Sequence, residues 1–129
     1  MLKISVITPN FNYGEYIGDT IDSVLMQNYD SLEHIIVDDG SNDNSLSVIY
    51  EYQQRYPHMI KLFTQPNKGQ TNALNRALKE VTGDIVCWLN SDDCFCNNVF
   101  HKIAEVFREN CSIFAVSGDI NIISVSFTK

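Results

Sequence analysis

At 129 residues, with 44% hydrophobic, 11% aromatic and 19% charged side chains, the chain has the length of one domain and the composition of a globular protein. That excludes a disordered tail, a collagen-like repeat and a coiled coil. Sixteen acidic residues against nine Lys and Arg leave a formal charge of −7, which speaks against general binding to nucleic acid or anionic membrane, since both recruit a basic face.

Lys3–Thr8 is a short β-branched run that Pro9 is expected to stop, because proline cannot donate to a sheet ladder. Ile17, Ile21, Val24 and Leu25 recur at helical spacing. Leu32–Val37 is a second apolar run, with His34 inside it, ending at Asp38-Asp39-Gly40-Ser41. Leu46, Ile49 and Tyr50 share one side of the next helix, with Ser41 or Asp43 as its cap. Met59–Phe63 reads as a third strand. Ala73, Leu74, Ala77, Leu78 and Val81 mark a third helix, with Gly83 placed to end it in a left-handed conformation. Ile85–Leu89 is a continuous apolar run, the pattern of a strand covered on both faces. Val99, Phe100, Ile103, Ala104 and Phe107 give a fourth helix, and Ile113–Ser117 a fifth strand.

This alternation predicts an α/β domain over residues 1–129, with a mostly parallel sheet, helices on both faces and right-handed crossovers. No run approaches the roughly eighteen apolar residues of a membrane span. The amino terminus enters a strand pattern directly and lacks the parts of a signal peptide. Cys87, Cys94, Cys96 and Cys111 form no C-x-x-C pair and are expected to be free thiols. The chain therefore reads as cytoplasmic, a location compatible with peripheral attachment at the inner face of the membrane. His34, His58 and His101 are scattered and read as structural or exposed.

In sheets of this kind, ligands bind beyond the carboxyl ends of the strands. Two acidic pairs, several amides and the turn Lys68-Gly69 converge there. Adjacent carboxylates such as Asp92 and Asp93 repel each other, so their natural partner is a hard cation, Mg2+ or Mn2+, shared with substrate phosphates. Such a cation would also act as a Lewis acid on a diphosphate leaving group. The same pair equally suits a cap for the helix starting near Asn97. Asp38-Asp39-Gly40-Ser41 reads either as a tight turn or as a carboxylate acceptor for a base N–H or ribose hydroxyls. Phe11, between Asn10 and Asn12, is a core aromatic or a stacking platform for a base. Lys68-Gly69 is a weak phosphate signal, and no P-loop or G-x-G-x-x-G run is present.

Four motifs in order, each after a strand, resemble the successive signatures of the family 2 glycosyltransferases. They are Ile4-Ser5-Val6-Ile7-Thr8-Pro9-Asn10-Phe11-Asn12, Val37-Asp38-Asp39-Gly40-Ser41, Asn67-Lys68-Gly69 and Trp88-Leu89-Asn90-Ser91-Asp92-Asp93. The resemblance runs from residue 1 to about 119. It implies the Rossmann-like GT-A nucleotide-sugar-binding fold. It also implies inverting transfer of a sugar from a nucleotide-diphosphate sugar, UDP-linked in many members, to a saccharide or lipid-linked saccharide hydroxyl. Mn2+ or Mg2+ would assist, in polysaccharide biosynthesis. By the same resemblance, Pro9 and Phe11 line the base pocket and Asp39 recognises the base. Asp38 supports that loop or contacts ribose, and Lys68 approaches the phosphates or sugar. Asp92 holds the metal first and Asp93 second.

The chain departs from the family at Asn90, where many members carry aspartate. An amide there retains a ribose contact and loses the charge. The family's general base lies beyond the fifth strand, so no residue is nominated for it. Asp119, the last acid of the sequence, would sit near the donor sugar. The chain is thus expected to cover the donor-binding portion and stop before the acceptor half. A non-catalytic nucleotide-sugar-binding fragment or assembly subunit is the alternative. A signalling receiver domain is a third reading. It fails because Thr8-Pro9-Asn10, Thr64-Gln65 and Gly118-Asp119 stand where that fold needs acids and a lysine.

Overall fold

All four strands expected between residues 1 and 89 form, and so do all four helices. The computed structural model describes residues 1–113 and 115–118. Its elements are β1 (Ile4–Asn10), α1 (Ile17–Leu25), β2 (Leu32–Asp38), α2 (Ser45–Arg55), β3 (Ile60–Thr64), α3 (Gln70–Lys79), β4 (Ile85–Trp88) and α4 (Val99–Glu109). The strands make one parallel sheet in the order β3-β2-β1-β4.

β1 does not stop at Pro9: Pro9 pairs with Val37 and Asn10 with Asp38. Alternate residues of a central strand face alternate neighbours. Ile7 O accepts from Leu89 N at 3.0 Å, so Pro9, two residues on, faces the same side. β4 has ended there, and the missing proline N–H costs no ladder bond.

The side chains of β1 and β2 are buried along their whole length. On one face, Ile36 and Ile60 pack against Ile17, Ile21 and Ile49 of α1 and α2. Ile4, Val6 and Ile85 continue that face against Val24 of α1 and Phe100 and Ala104 of α4. On the other face Ile7, Ile35 and Val37 meet Ala73 and Ala77 of α3. The small alanines let α3 lie close to the sheet. Burial of each large side chain contributes about 1.5–3 kcal/mol, so the three clusters account for most of the drive to fold.

Three expectations are corrected. α3 packs over β1 and β2 but not β4, which is therefore covered on one face only; Val86 and Trp88 are 45% and 58% exposed. Gly83 is not in a left-handed conformation, which among the glycines is confined to Gly40 and Gly69. A Cβ on Gly83 would lie 2.4 Å from Ser5 Oγ and 2.8 Å from Lys3 O, so its lack of a side chain serves a close approach to β1. Of the expected fifth strand, Ile113 and residues 115–117 join no ladder, and Phe114 lies outside the described residues, as does Asp119.

A polar clasp closes the amino ends of the strands. Buried Glu33 accepts from Ser5 Oγ at 2.6 Å, Lys61 Nζ at 2.8 Å and Thr82 N at 2.8 Å. Burial opposes its charge, but these donors outweigh it and hold the carboxyl down to about 2. Cys87, Cys94, Cys96 and Cys111 form no disulfide among the described residues. Among the described residues no helix is long and apolar enough to cross a membrane.

Candidate functional site

A cavity of about 470 Å³ opens at the carboxyl ends of β1, β2 and β4, within the range of small-molecule sites. Of the residues singled out in the sequence, Pro9, Phe11, Asp39, Asn90 and Asp92 line it. Asp38, Lys68 and Asp93 do not. Tyr13 and Gln70 line it as well, and neither stood out in the sequence because each lies beyond the residues that directly follow a strand.

The turn after β2 holds two carboxylates with different duties. Asp38 is buried, and its Oδ1 accepts from Asn10 Nδ2 at 2.8 Å and Ser41 Oγ at 2.6 Å, while Oδ2 accepts from Ser41 N at 3.0 Å. It braces the turn from beneath. Asp39 faces the loop between β3 and α3: Oδ1 accepts from Gln65 Nε2 and Lys68 N, and Oδ2 from Gly69 N, all at 2.8 Å. Burial raises the Asp39 pKa, but the three donors prevail and hold it below the ordinary carboxylate value. Lys68 thus meets the site through its main chain, and its side chain is exposed. Gly40 makes this approach feasible with φ +80°, since a Cβ there would lie 2.8 Å from Asn67 N.

Phe11 is 38% exposed at the cavity wall and belongs to no core cluster, so the stacking reading gains over the core one. Its loop is pinned to the turn after β2. Asn12 N donates to Ser41 Oγ at 2.9 Å, Asn42 N to Asn12 Oδ1 at 2.8 Å, and Gly14 N to Asp43 Oδ2 at 2.8 Å. Asp43 also accepts from Ser45 N at 2.9 Å, so it, rather than Ser41, steadies the start of α2.

Across the cavity, Asn90 Oδ1 accepts from both Trp88 Nε1 and Gln70 Nε2 at 3.0 Å, and its Nδ2 donates to Asp93 Oδ2 at 3.3 Å. Its carbonyl oxygen is therefore already shared by two donors. Asp92 is exposed, and among the described residues its carboxylate has no protein partner. The helix-cap reading of Asp92 and Asp93 does not hold. α4 begins only at Val99, and the N–H groups of Val99 and Phe100 donate to Gln27 Oε1 at 2.9 and 3.3 Å.

No group of three or more His, Cys, Asp and Glu able to hold a metal ion occurs among the described residues. The free carboxylate of Asp92 beside Asp93 still fits a hard cation, because Mg2+ and Mn2+ sites commonly take one or two carboxylates and complete the shell with phosphate oxygens and water. His34 lies below the site with Nε2 2.8 Å from Thr8 Oγ1 and Nδ1 unpartnered; full burial pushes its pKa down to about 3, which keeps it neutral and structural.

The chain matches the model of the family described as glycosyl transferase family 2 over residues 5–128. It is 43% identical over 107 residues to an uncharacterized glycosyltransferase of Nostoc sp., covering 83% of this chain and 33% of that one. It is 32% identical over 119 residues to the poly-beta-1,6-N-acetyl-D-glucosamine synthase of Staphylococcus epidermidis, covering 92% and 29%. The crystal structure of S. aureus TarS in complex with UDP superposes with a TM-score of 0.73 at 31% identity, covering 84% of this chain and 32% of that one. The mannosyltransferase PcManGT of Pyrobaculum calidifontis, solved with GDP-Man and Mn2+, gives 0.70 at 29% identity, covering 75% and 29%. The chain thus spans about a third of the length of these proteins.

Proposed function

The chain belongs to glycosyl transferase family 2 and has its GT-A fold, and from that membership we propose that it is the donor-binding portion of an inverting glycosyltransferase. The donor is a nucleotide-diphosphate sugar, UDP-linked, and a divalent metal assists. The acceptor is a saccharide or lipid-linked saccharide hydroxyl, in polysaccharide biosynthesis. The observation that carries this reading is the shared cavity, with Pro9, Phe11 and Asp39 on one wall and Asp92 on the other.

Each residue then has a task that follows from its surroundings. Phe11 offers an exposed ring for the base, a contact worth roughly 1–3 kcal/mol. Asp39 keeps acceptor capacity on Oδ2, which carries a single N–H bond, for a base N–H. Asp38 holds the turn and leaves the ligand to Asp39. Asn90 is held by Trp88 and Gln70, so its contribution is shape and a ribose contact without charge. Asp92, with Asp93 second, would hold Mn2+ or Mg2+, whose charge offsets the diphosphate as it leaves. Lys68 adds an exposed cation from the loop that precedes α3. The acids lining the cavity, Asp39 and Asp92, are both engaged with the donor, so the general base is assigned to neither. The TarS complex with UDP supports the choice of base, and the PcManGT complex with Mn2+ supports the metal.

The test is thermal denaturation with UDP and Mn2+. A ligand that binds only the folded state stabilises by about 2.7 kcal/mol at a hundredfold excess over Kd, which raises Tm by several degrees. Asp92→Ala is expected to abolish the metal-dependent part of the shift. Asp39→Ala is expected to weaken binding with or without metal. No shift in a folded wild-type sample at millimolar ligand overturns the nucleotide assignment, and equal loss of metal dependence in both variants overturns the division of roles.

A further inference from the structure

The segment from Ser91 to Asn98 carries Asp92 and Asp93, yet no helix or strand holds it. Its main chain is instead satisfied from one side by α1 and the residues just after it. Thr20 Oγ1 donates to Ser91 O at 2.9 Å, and Ser23 Oγ accepts from Phe95 N at 3.1 Å. Gln27 Nε2 donates to Cys96 O at 2.8 Å, while its Oε1 takes the N–H groups of Val99 and Phe100. The three side chains are buried, at 0%, 9% and 0% exposure, and follow one another at helical spacing on one face.

They are also linked to each other. Ser23 Oγ donates to Thr20 O at 2.7 Å, and Gln27 Nε2 to Ser23 O at 3.0 Å, which fixes the Ser23 and Gln27 side chains in the orientation that meets the loop. Ile17, Ile21 and Val24 anchor the same helix to the sheet. None of the three polar residues lines the cavity. They therefore act on the ligand only through where they hold the loop.

We propose that Thr20, Ser23 and Gln27 are positioning residues for the aspartate loop, so that α1 sets where Asp92 stands against the rest of the cavity and thereby the strength of metal-dependent donor binding. This rests on the donor-site reading above. Buried main-chain groups demand partners, and a loop that loses one moves until it finds another. The displaced element would be Asp92, while the base wall built by Pro9, Phe11 and Asp39 is tied to β1 and β2 and would stay in place.

The experiment compares the wild-type chain with Thr20→Val, Ser23→Ala and the conservative Thr20→Ser. Gln27 is left intact because it also caps α4. Without ligand, amide hydrogen exchange of a peptide spanning residues 90–98 is expected to speed up about five- to tenfold in Thr20→Val and Ser23→Ala, with a peptide from β1 unchanged. The tightening of UDP binding by Mn2+ is expected to fall about five- to tenfold, while UDP affinity without metal stays within about twofold. Thr20→Ser restores both. Unchanged exchange in the loop overturns the proposal, and so does an equal drop in UDP affinity with and without Mn2+, the signature of a merely structural role. If wild type binds no UDP under either condition, the donor-site reading fails and the binding part of this proposal with it; the exchange comparison then still decides whether α1 holds the loop.

Discussion

Among the described residues, Asp39 accepts three hydrogen bonds from its own chain and the Asp92 carboxylate none, a difference that no reading of the letters Asp-Asp could reveal. The turn Asp38-Asp39-Gly40-Ser41 is plain in the sequence, but its division of labour depends on which carboxylate faces Asn10 and which faces Gln65, two residues from other elements. Asn90 is similar: its charge loss is legible, whereas its capture by Trp88 and Gln70 needs the fold. Gly40 tests how tightly these parts depend on one another. With φ +80° and Asn67 N only 2.8 Å from the position of a Cβ, Gly40→Ala is expected to cost about 1–3 kcal/mol in urea unfolding. A loss below about 0.5 kcal/mol, the ordinary scatter of surface substitutions, would show that the two loops separate freely.

Apolar periodicity located α1, yet it said nothing of Thr20, Ser23 and Gln27, because the partner of Thr20 lies 71 positions away in the chain. Polar positions on a buried stripe were the available signal. In β2 the adjacent residues Glu33 and His34 are both buried and both titrate abnormally. Burial alone lowers the His34 pKa from 6.5 to about 3, so its contribution is full above pH 6.5 and is lost as pH falls toward 3. Glu33, lowered from 4.5 to about 2, contributes fully above pH 4.5 and loses it as pH falls toward 2. Both therefore act in the same direction, toward acid unfolding. Tm is expected to decline in two stages on acidification, with His34→Gln flattening the earlier stage and Glu33→Gln the later one. A pH profile of Tm unaltered in shape by either variant would assign acid sensitivity to other groups.

For the molecule as a whole, the α/β alternation and the placement of ligand-facing loops were legible, since both follow from chain order. Coverage of the sheet was not. Ile85–Leu89 is apolar throughout, but α3 lies over β1 and β2, and Val86 and Trp88 stay exposed. Charge also acts at this scale. On the donor-site reading, a chain of net −7 whose cavity presents the free carboxylate of Asp92 disfavours a diphosphate, so UDP is expected to bind more weakly without a divalent cation than with it in a titration.

The strand order β3-β2-β1-β4 also has a meaning in time. Asn10 meets Asp38 across 28 positions of chain, whereas Lys3 meets Asp84 across 81, and closing the longer loop costs about 1 kcal/mol more entropy. β1 and β2 are therefore expected to pair early in refolding and β4 to dock late. Pulse-labelled exchange would show this as protection of β1 and β2 amides ahead of Leu89 N, and simultaneous protection would contradict it. On this schedule the wall bearing Pro9 and Asp39 exists before Asp92 arrives, and the cavity matures from its β1–β2 side toward its β4 side.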